Sequence, residues 1–173
     1  MNLIVESMIK NGKVIENVII KERRVNPDER GNLMEILRRD EDFFKGFGQT
    51  YATEVYPDVT KGWHYHKEQT DNFVCVSGMI KLVLFDVREN SKTYKKVNEL
   101  FIGEKDQLLV QIPPYVLHGF KGVGTDKAII INVCTKPYNY NKPDEYRVHP
   151  HDKDLQKQVL GFDVPYNWAR KDG

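Results

Sequence analysis

The chain has 173 residues, of which 40% are hydrophobic and 29% charged, and its formal net charge is +1. That balance is ordinary for a soluble globular protein, and the length suits one domain, residues 1–173, around a single core. Lys and Arg are scattered among Asp and Glu, so no basic stripe offers a sequence-independent grip on nucleic acid, and no apolar stretch approaches membrane-spanning length.

Taken in chain order, the opening Met1-Asn-Leu-Ile-Val-Glu carries an acid too early for a secretory signal. Short β-branched or aromatic runs then alternate with turn residues, and strands are expected at 14–20, 33–37, 49–56, 71–76, 80–87, 108–112 and 128–133. Pro, Gly, Asn and Asp stand between them: Asn26-Pro-Asp, Arg30-Gly, Tyr56-Pro-Asp, Lys61-Gly, Ser77-Gly, Pro113-Pro and Gly122-Val-Gly. Many short strands with such punctuation mean an all-β sandwich or barrel. Two short helical segments are expected at 40–47 and 152–160, and the stretch from 137 onward, rich in Tyr, Asn, Pro and Asp, reads as an irregular tail folding back on the β-structure. Cys75 and Cys134, the only cysteines, lie in apolar runs and read as reduced core thiols of a cytoplasmic protein.

The segment 62–66, Gly-Trp-His-Tyr-His, carries the chemistry. Side chains alternate along a strand, so His64 and His66 share one face and Trp63 and Tyr65 the other. Two readings follow. With Asp71 and the distant His118, the pair approximates the His-x-His, carboxylate and late His of metal-binding cupins, a donor set suited to Fe, Mn, Ni or Zn. Alternatively, one histidine is a general base oriented by a carboxylate, with a phenol on the opposite side to return the proton. His118 by itself reads equally as a hydrogen-bonded core residue, Arg30 as closing a turn through Asp28, Asp86 and Arg88 as a weak strand-end pair, and His149 and His151 as solvent-facing.

Six segments occur in the order of one family. They are Asp28 to Glu35 (Asp-Glu-Arg-Gly-Asn-Leu-Met-Glu), Lys61-Gly-Trp-His64, Phe85-Asp-Val-Arg-Glu-Asn-Ser91, Ile112 to Phe120 (Ile-Pro-Pro-Tyr-Val-Leu-His-Gly-Phe), Cys134-Thr-Lys-Pro-Tyr138 and His151-Asp152. Over roughly residues 16–168 the chain resembles the dTDP-4-dehydrorhamnose 3,5-epimerases, cupin-type jelly rolls acting on nucleotide-linked 4-keto sugars. The resemblance implies that His64 removes the proton beside the ketone, Asp152 orients and charges that imidazole, and Tyr138 reprotonates from the other face. It implies substrate contacts from Arg30, Glu35, Gln49, Lys61, His66 and His118, with Arg30 and Gln49 at the diphosphate, no cofactor, and a homodimer exchanging N-terminal strands. The chain departs from the family pattern where Lys61 replaces an Arg and Asp71 a Lys, which alters the shell expected to stabilise an enolate, with His66 a candidate replacement donor. The function expected is a nucleotide-sugar epimerase of surface polysaccharide synthesis. The alternatives are a keto-isomerase of nucleotide sugars on the same fold, a metal-dependent cupin using His64, His66, Asp71 and His118, or a sugar-binding module without catalysis.

Overall fold

The computed structural model describes residues 12–169, so the opening run Met1 to Glu6 lies outside the described residues, as do the last four positions of the tail. Twelve strands and one helix are present among them. They are β1 (Ile19–Glu22), β2 (Val25–Asp28), β3 (Gly31–Met34), β4 (Gln49–Val55), β5 (Thr60–Tyr65), β6 (Asp71–Ser77), β7 (Met79–Asp86), β8 (Val97–Gly103), β9 (Leu108–Ile112), β10 (Val116–Val123), β11 (Ala128–Cys134), β12 (Tyr146–Arg147) and α1 (Lys153–Leu160). β1-β9-β6-β11-β4 form one antiparallel sheet and β12-β5-β10-β7-β8 the other, while β2 and β3 make a separate hairpin. This is the expected all-β jelly roll. Among the described residues no helix is long and apolar enough to cross a membrane.

The seven expected strands all form, with shifted ends, and β5 carries the segment 62–66 read as extended; β2, β8, β10 and β12 are additional. β10 escapes a reading by alternation because Pro113-Pro marks a turn before it and Gly119 and Gly122 interrupt it. The stretch 40–47 makes turns closed by Glu41 N–H to the Arg38 carbonyl and Phe44 N–H to the Glu41 carbonyl, but no helix. α1 forms as expected. Cys75 and Cys134 are buried free thiols.

Three apolar layers explain why β7 from Leu82 to Phe85 reads as a continuous hydrophobic run. Ile80, Leu82 and Leu84 point between the sheets and meet Phe73, Val110, Phe120 and Ile130. Val83 and Phe85 point outward, where Trp63, Leu117, Val148, Val164 and Trp168 cover them, so the tail after β12 closes the outer face of its sheet. On the opposite sheet, Phe43 covers the outward-facing Val74 and Leu109, with Ile36 and Leu37 packed beside them. A strand covered on both faces needs apolar residues at every position, so alternation vanishes from its sequence. Fully burying each of these side chains contributes about 1.5–3 kcal/mol.

Asp86 ends β7 as more than the weak surface pair its spacing from Arg88 suggests. The carboxylate is fully buried and accepts from Arg88 Nε (2.7 Å), Ser91 Oγ (2.6 Å) and Thr93 Oγ1 (2.6 Å), while Arg88 also donates to the Glu16 carbonyl. Burial opposes its charge, but these hydrogen bonds outweigh burial and hold its pKa below the usual Asp value. A depressed folded pKa stabilises the fold above the unfolded value of about 3.9 and is lost as pH falls through the folded value. Replacing Asp86 by Ala strands the Arg88 charge and two hydroxyls, and should cost about 3 kcal/mol in urea denaturation at pH 7. The gap between wild type and variant should narrow as the pH is taken below about 4.

Candidate active site

Alternation along β5 does what the sequence reading requires. Trp63, 1% exposed, turns outward against Trp168 (ring centroids 4.7 Å apart) and Tyr166 (5.9 Å), and His64 and His66 turn into the sandwich. β5 and β10 approach closely at two glycines: a Cβ on Gly62 would meet Gly119 Cα at 2.7 Å. Just beyond that point His64 and His118 are paired across the strands, with their rings 4.0 Å apart. Asp71 enters from β6 of the facing sheet, its Oδ2 lying 3.1 Å from His66 Nε2 and 3.2 Å from His118 Nε2. Each of the four residues offers a ligand atom within 4.8 Å of the others.

Backbone carbonyls set the imidazole tautomers. His118 Nδ1 lies 2.9 Å from the Val116 carbonyl, and His66 Nδ1 contacts the Asp144 carbonyl. A carbonyl can only accept, so both Nδ1 atoms carry protons and both Nε2 atoms face Asp71. Asp144 is itself anchored, its carboxylate accepting from the N–H groups of Lys67, Glu68 and Gln69, each at 2.9 Å. Asp71 Oδ1 takes Gln69 Nε2 at 2.8 Å and Asn132 Nδ2 at 3.0 Å.

The electrostatics follow from burial and these contacts. Burial raises the Asp71 pKa, but the close approach of the His118 and His66 imidazoles prevails and holds it well below the usual carboxylate range. Burial lowers His66, and the close contact with and attraction to Asp71 more than reverse this, raising it to about 9. His64 is pushed well below the usual histidine value, first by burial and then by the charge of His118, with Asp71 only partly offsetting them.

The cluster closes the inner end of a cleft of about 1320 Å³. His64, His66, Gln49, Lys61 and Tyr138 all line it, so five of the residues expected at the site come together. Tyr138 is held by its backbone N–H donating to Gln49 Oε1 (3.0 Å), and Lys61 Nζ donates to Thr53 Oγ1 (2.9 Å). His118, 1% exposed, stands behind the wall against Phe73, with ring centroids 5.6 Å apart.

Asp152 needs correction. Its Oδ1 caps α1, accepting from Asp154 N and Leu155 N at 3.0 Å each, and it is exposed rather than beside His64. The carboxylate next to the histidines is Asp71. The cue was present, since an Asp just before a short amphipathic segment is an ordinary helix N-cap. Arg30 and Glu35 are outside the cleft of this chain: Arg30 closes the β2–β3 turn on Asp28, with its Nε 3.3 Å from Asp28 Oδ1, and Glu35 pairs with Arg38 at 2.9 Å. His149 and His151 are exposed, as expected. The sequence reading missed Asp144, Gln69 and Asn132, which no spacing links to the histidines, and Arg147, which pairs with His64 across β12 and β5 and lines the cleft.

The model of the family described as dTDP-4-dehydrorhamnose 3,5-epimerase matches residues 13–173. The chain is 39% identical over 140 residues to the probable low-salt glycan biosynthesis epimerase Agl13 of Haloferax volcanii, covering 80% of this chain and 89% of that one. It is 36% identical over 155 residues to the spore coat polysaccharide biosynthesis protein SpsL of Bacillus subtilis, covering 90% and 97%. A solved structure, the dTDP sugar isomerase from Desulfovibrio desulfuricans G20, superposes with a TM-score of 0.80 at 31% identity, covering 91% of this chain and 94% of that one. Family model, relatives and fold agree, and the chain belongs to the dTDP-4-dehydrorhamnose 3,5-epimerase family, carbohydrate epimerases of the isomerase class.

Proposed function

We propose that this protein removes and returns a proton on carbon next to the ketone of a nucleotide-linked 4-keto sugar, inverting C3, C5 or both. The observation that carries this reading is that an imidazole, His64, and a phenol, Tyr138, line one cleft whose inner end holds the histidine cluster. The cleft volume of about 1320 Å³ exceeds the roughly 300–1,000 Å³ of common small-molecule pockets, which suits an elongated sugar nucleotide. A carbon acid next to a carbonyl needs a base within reach, an acid to return the proton, and a positive or donor group where enolate charge develops. His64 serves as the base, Tyr138 as the acid, and Lys61 and His66 face the same space as donors. Arg147 and Lys142, also on the walls, suit a diphosphate. Glycan assembly, named for the Haloferax and Bacillus relatives, is the setting in which such a sugar would be consumed.

The working unit is a cytoplasmic homodimer in this reading. The β2–β3 hairpin supports it: it pairs with neither five-stranded sheet among the described residues, seven of its eight residues are exposed, and Leu33 is 61% exposed. A two-stranded hairpin is marginal alone. A second copy would cover Leu33 and could carry Arg30 toward the partner's cleft.

Proton exchange, product formation, mass and steady-state kinetics test these assignments. In heavy water, proton NMR of a dTDP-linked 4-keto-6-deoxy hexose should lose its C3 signal, its C5 signal or both. The His64→Ala variant should slow that loss by about 10²–10⁴-fold; exchange at the wild-type rate would remove His64 as the base. Tyr138→Phe should still exchange but form the inverted product more slowly by a comparable factor. Light scattering should give the mass of a dimer, and Arg30→Ala should raise KM about tenfold or more while leaving kcat nearly unchanged, as loss of a charge-assisted phosphate contact predicts.

A further inference from the structure

The contacts around Asp71 do not close as hydrogen bonds. Its Oδ2 lies 3.1 and 3.2 Å from two imidazole nitrogens, yet neither Oδ2 nor His118 Nε2 has a hydrogen-bond partner of acceptable geometry among the described residues. Both atoms are buried, on side chains that are each 1% exposed. His66 and His118 spend their Nδ1 protons on the carbonyls of Asp144 and Val116, so it is their two Nε2 atoms that face the Asp71 carboxylate oxygen. Gln69 Nε2, a donor, lies 3.4 Å from His66 Nε2, which fits a lone pair on that nitrogen.

A carboxylate oxygen and two imidazole nitrogens gathered in a buried place need positive charge among them, supplied by a proton on an imidazole or by a bound cation. Donor atoms around a transition-metal ion stand roughly 3.0–3.4 Å from one another when each is about 2.0–2.2 Å from the ion, and each points at the ion rather than at its neighbour. Short separations without hydrogen-bond angles are what that arrangement leaves in the protein. The surrounding contacts fit as well, because ligating imidazoles usually donate their other N–H to a carbonyl and ligating carboxylates are themselves hydrogen-bonded. Here Val116 and Asp144 supply the carbonyls, and Gln69 and Asn132 hold Asp71 Oδ1.

We propose that His66, Asp71 and His118 hold a divalent transition-metal ion at the inner end of the cleft, with His64 beside it. Two imidazoles and one carboxylate form a borderline donor set suited to Zn, Fe, Co, Ni or Mn rather than Ca or Mg. When bound, such an ion polarises a carbonyl oxygen as a Lewis acid. That would supply the positive charge which the family's Lys position, occupied by Asp71, lacks in this chain. The presence of the ion does not depend on the epimerase reading; only its role does.

The test uses the full chain, stripped with EDTA and then titrated with Co²⁺ and Zn²⁺. The expected result is one ion per chain, a visible cobalt d–d spectrum that Zn²⁺ abolishes, and loss of both in His118→Asn and Asp71→Asn. Should either variant fail to fold by circular dichroism, Gln69→Ala keeps all three donors and should weaken Co²⁺ binding about 10–100-fold. Uptake of neither ion above background by the folded wild type overturns the site, as does cobalt binding that both Asn variants retain. Proton exchange on a 4-keto sugar by a protein that binds no ion would overturn this inference and keep the epimerase reading. A cobalt-binding protein that exchanges no sugar proton would do the reverse.

Discussion

A carboxylate sealed between two β-sheets is the constraint on which the site depends. Asp71 is 1% exposed, and burying a lone carboxylate costs several kcal/mol unless partners surround it. Its partners come from both sheets: Asn132 of β11 lies on its own sheet, while His118 is supplied by β10 of the other and His66 follows directly after β5. The acid thus ties the sheets together at the inner end of the cleft. Removing any one of these polar groups leaves the others buried and unmatched, so position and chemistry are set together.

The outer layers matter to the site for the same geometric reason. Trp63 must face outward to meet Trp168 and Tyr166, and with a period of two this sends His64 inward. A slip of one residue in β5 would exchange the two faces, placing an indole in the cluster and an imidazole in the apolar layer. The tail that covers Trp63 therefore secures the register of the site without touching it. Gly62 and Gly119 complete the arrangement, since no side chain fits where β5 and β10 nearly touch.

Local contacts hold the histidines in one tautomer. The Asp144 carbonyl contacts His66, and its carboxylate collects three successive backbone N–H groups of the 67–69 loop, so one residue fixes both the ring and the turn that follows it. Val116 does the equivalent for His118 from two residues away. Tyr138 is placed by its backbone through Gln49, which leaves the phenol to face the cleft from an otherwise irregular segment.

Some of this was legible in the sequence because it obeys short-range rules. The strand periodicity put His64 and His66 on one face, turn residues separated the strands, and the ordered segments pointed to the family. Asp152 was misread because a carboxylate beside a histidine in sequence says nothing about distance in space; it caps a helix, a local role its neighbours already suggested. β10 was hidden by its glycines, while β7 was read as a strand although its cover on both faces erases alternation. The sequence by itself determined the all-β class, the inward-facing histidine pair and the lineage, since each depends on residue type and alternation along one segment. Only the tertiary structure decided that Asp71, which the metal reading had grouped with the histidines, and not Asp152 is the acid among them, that Asp144 sets the His66 tautomer, and that Tyr138 shares a cleft with His64. Those are meetings between segments 5 to 78 residues apart in the chain, brought together by sheet pairing and core packing that no local pattern encodes.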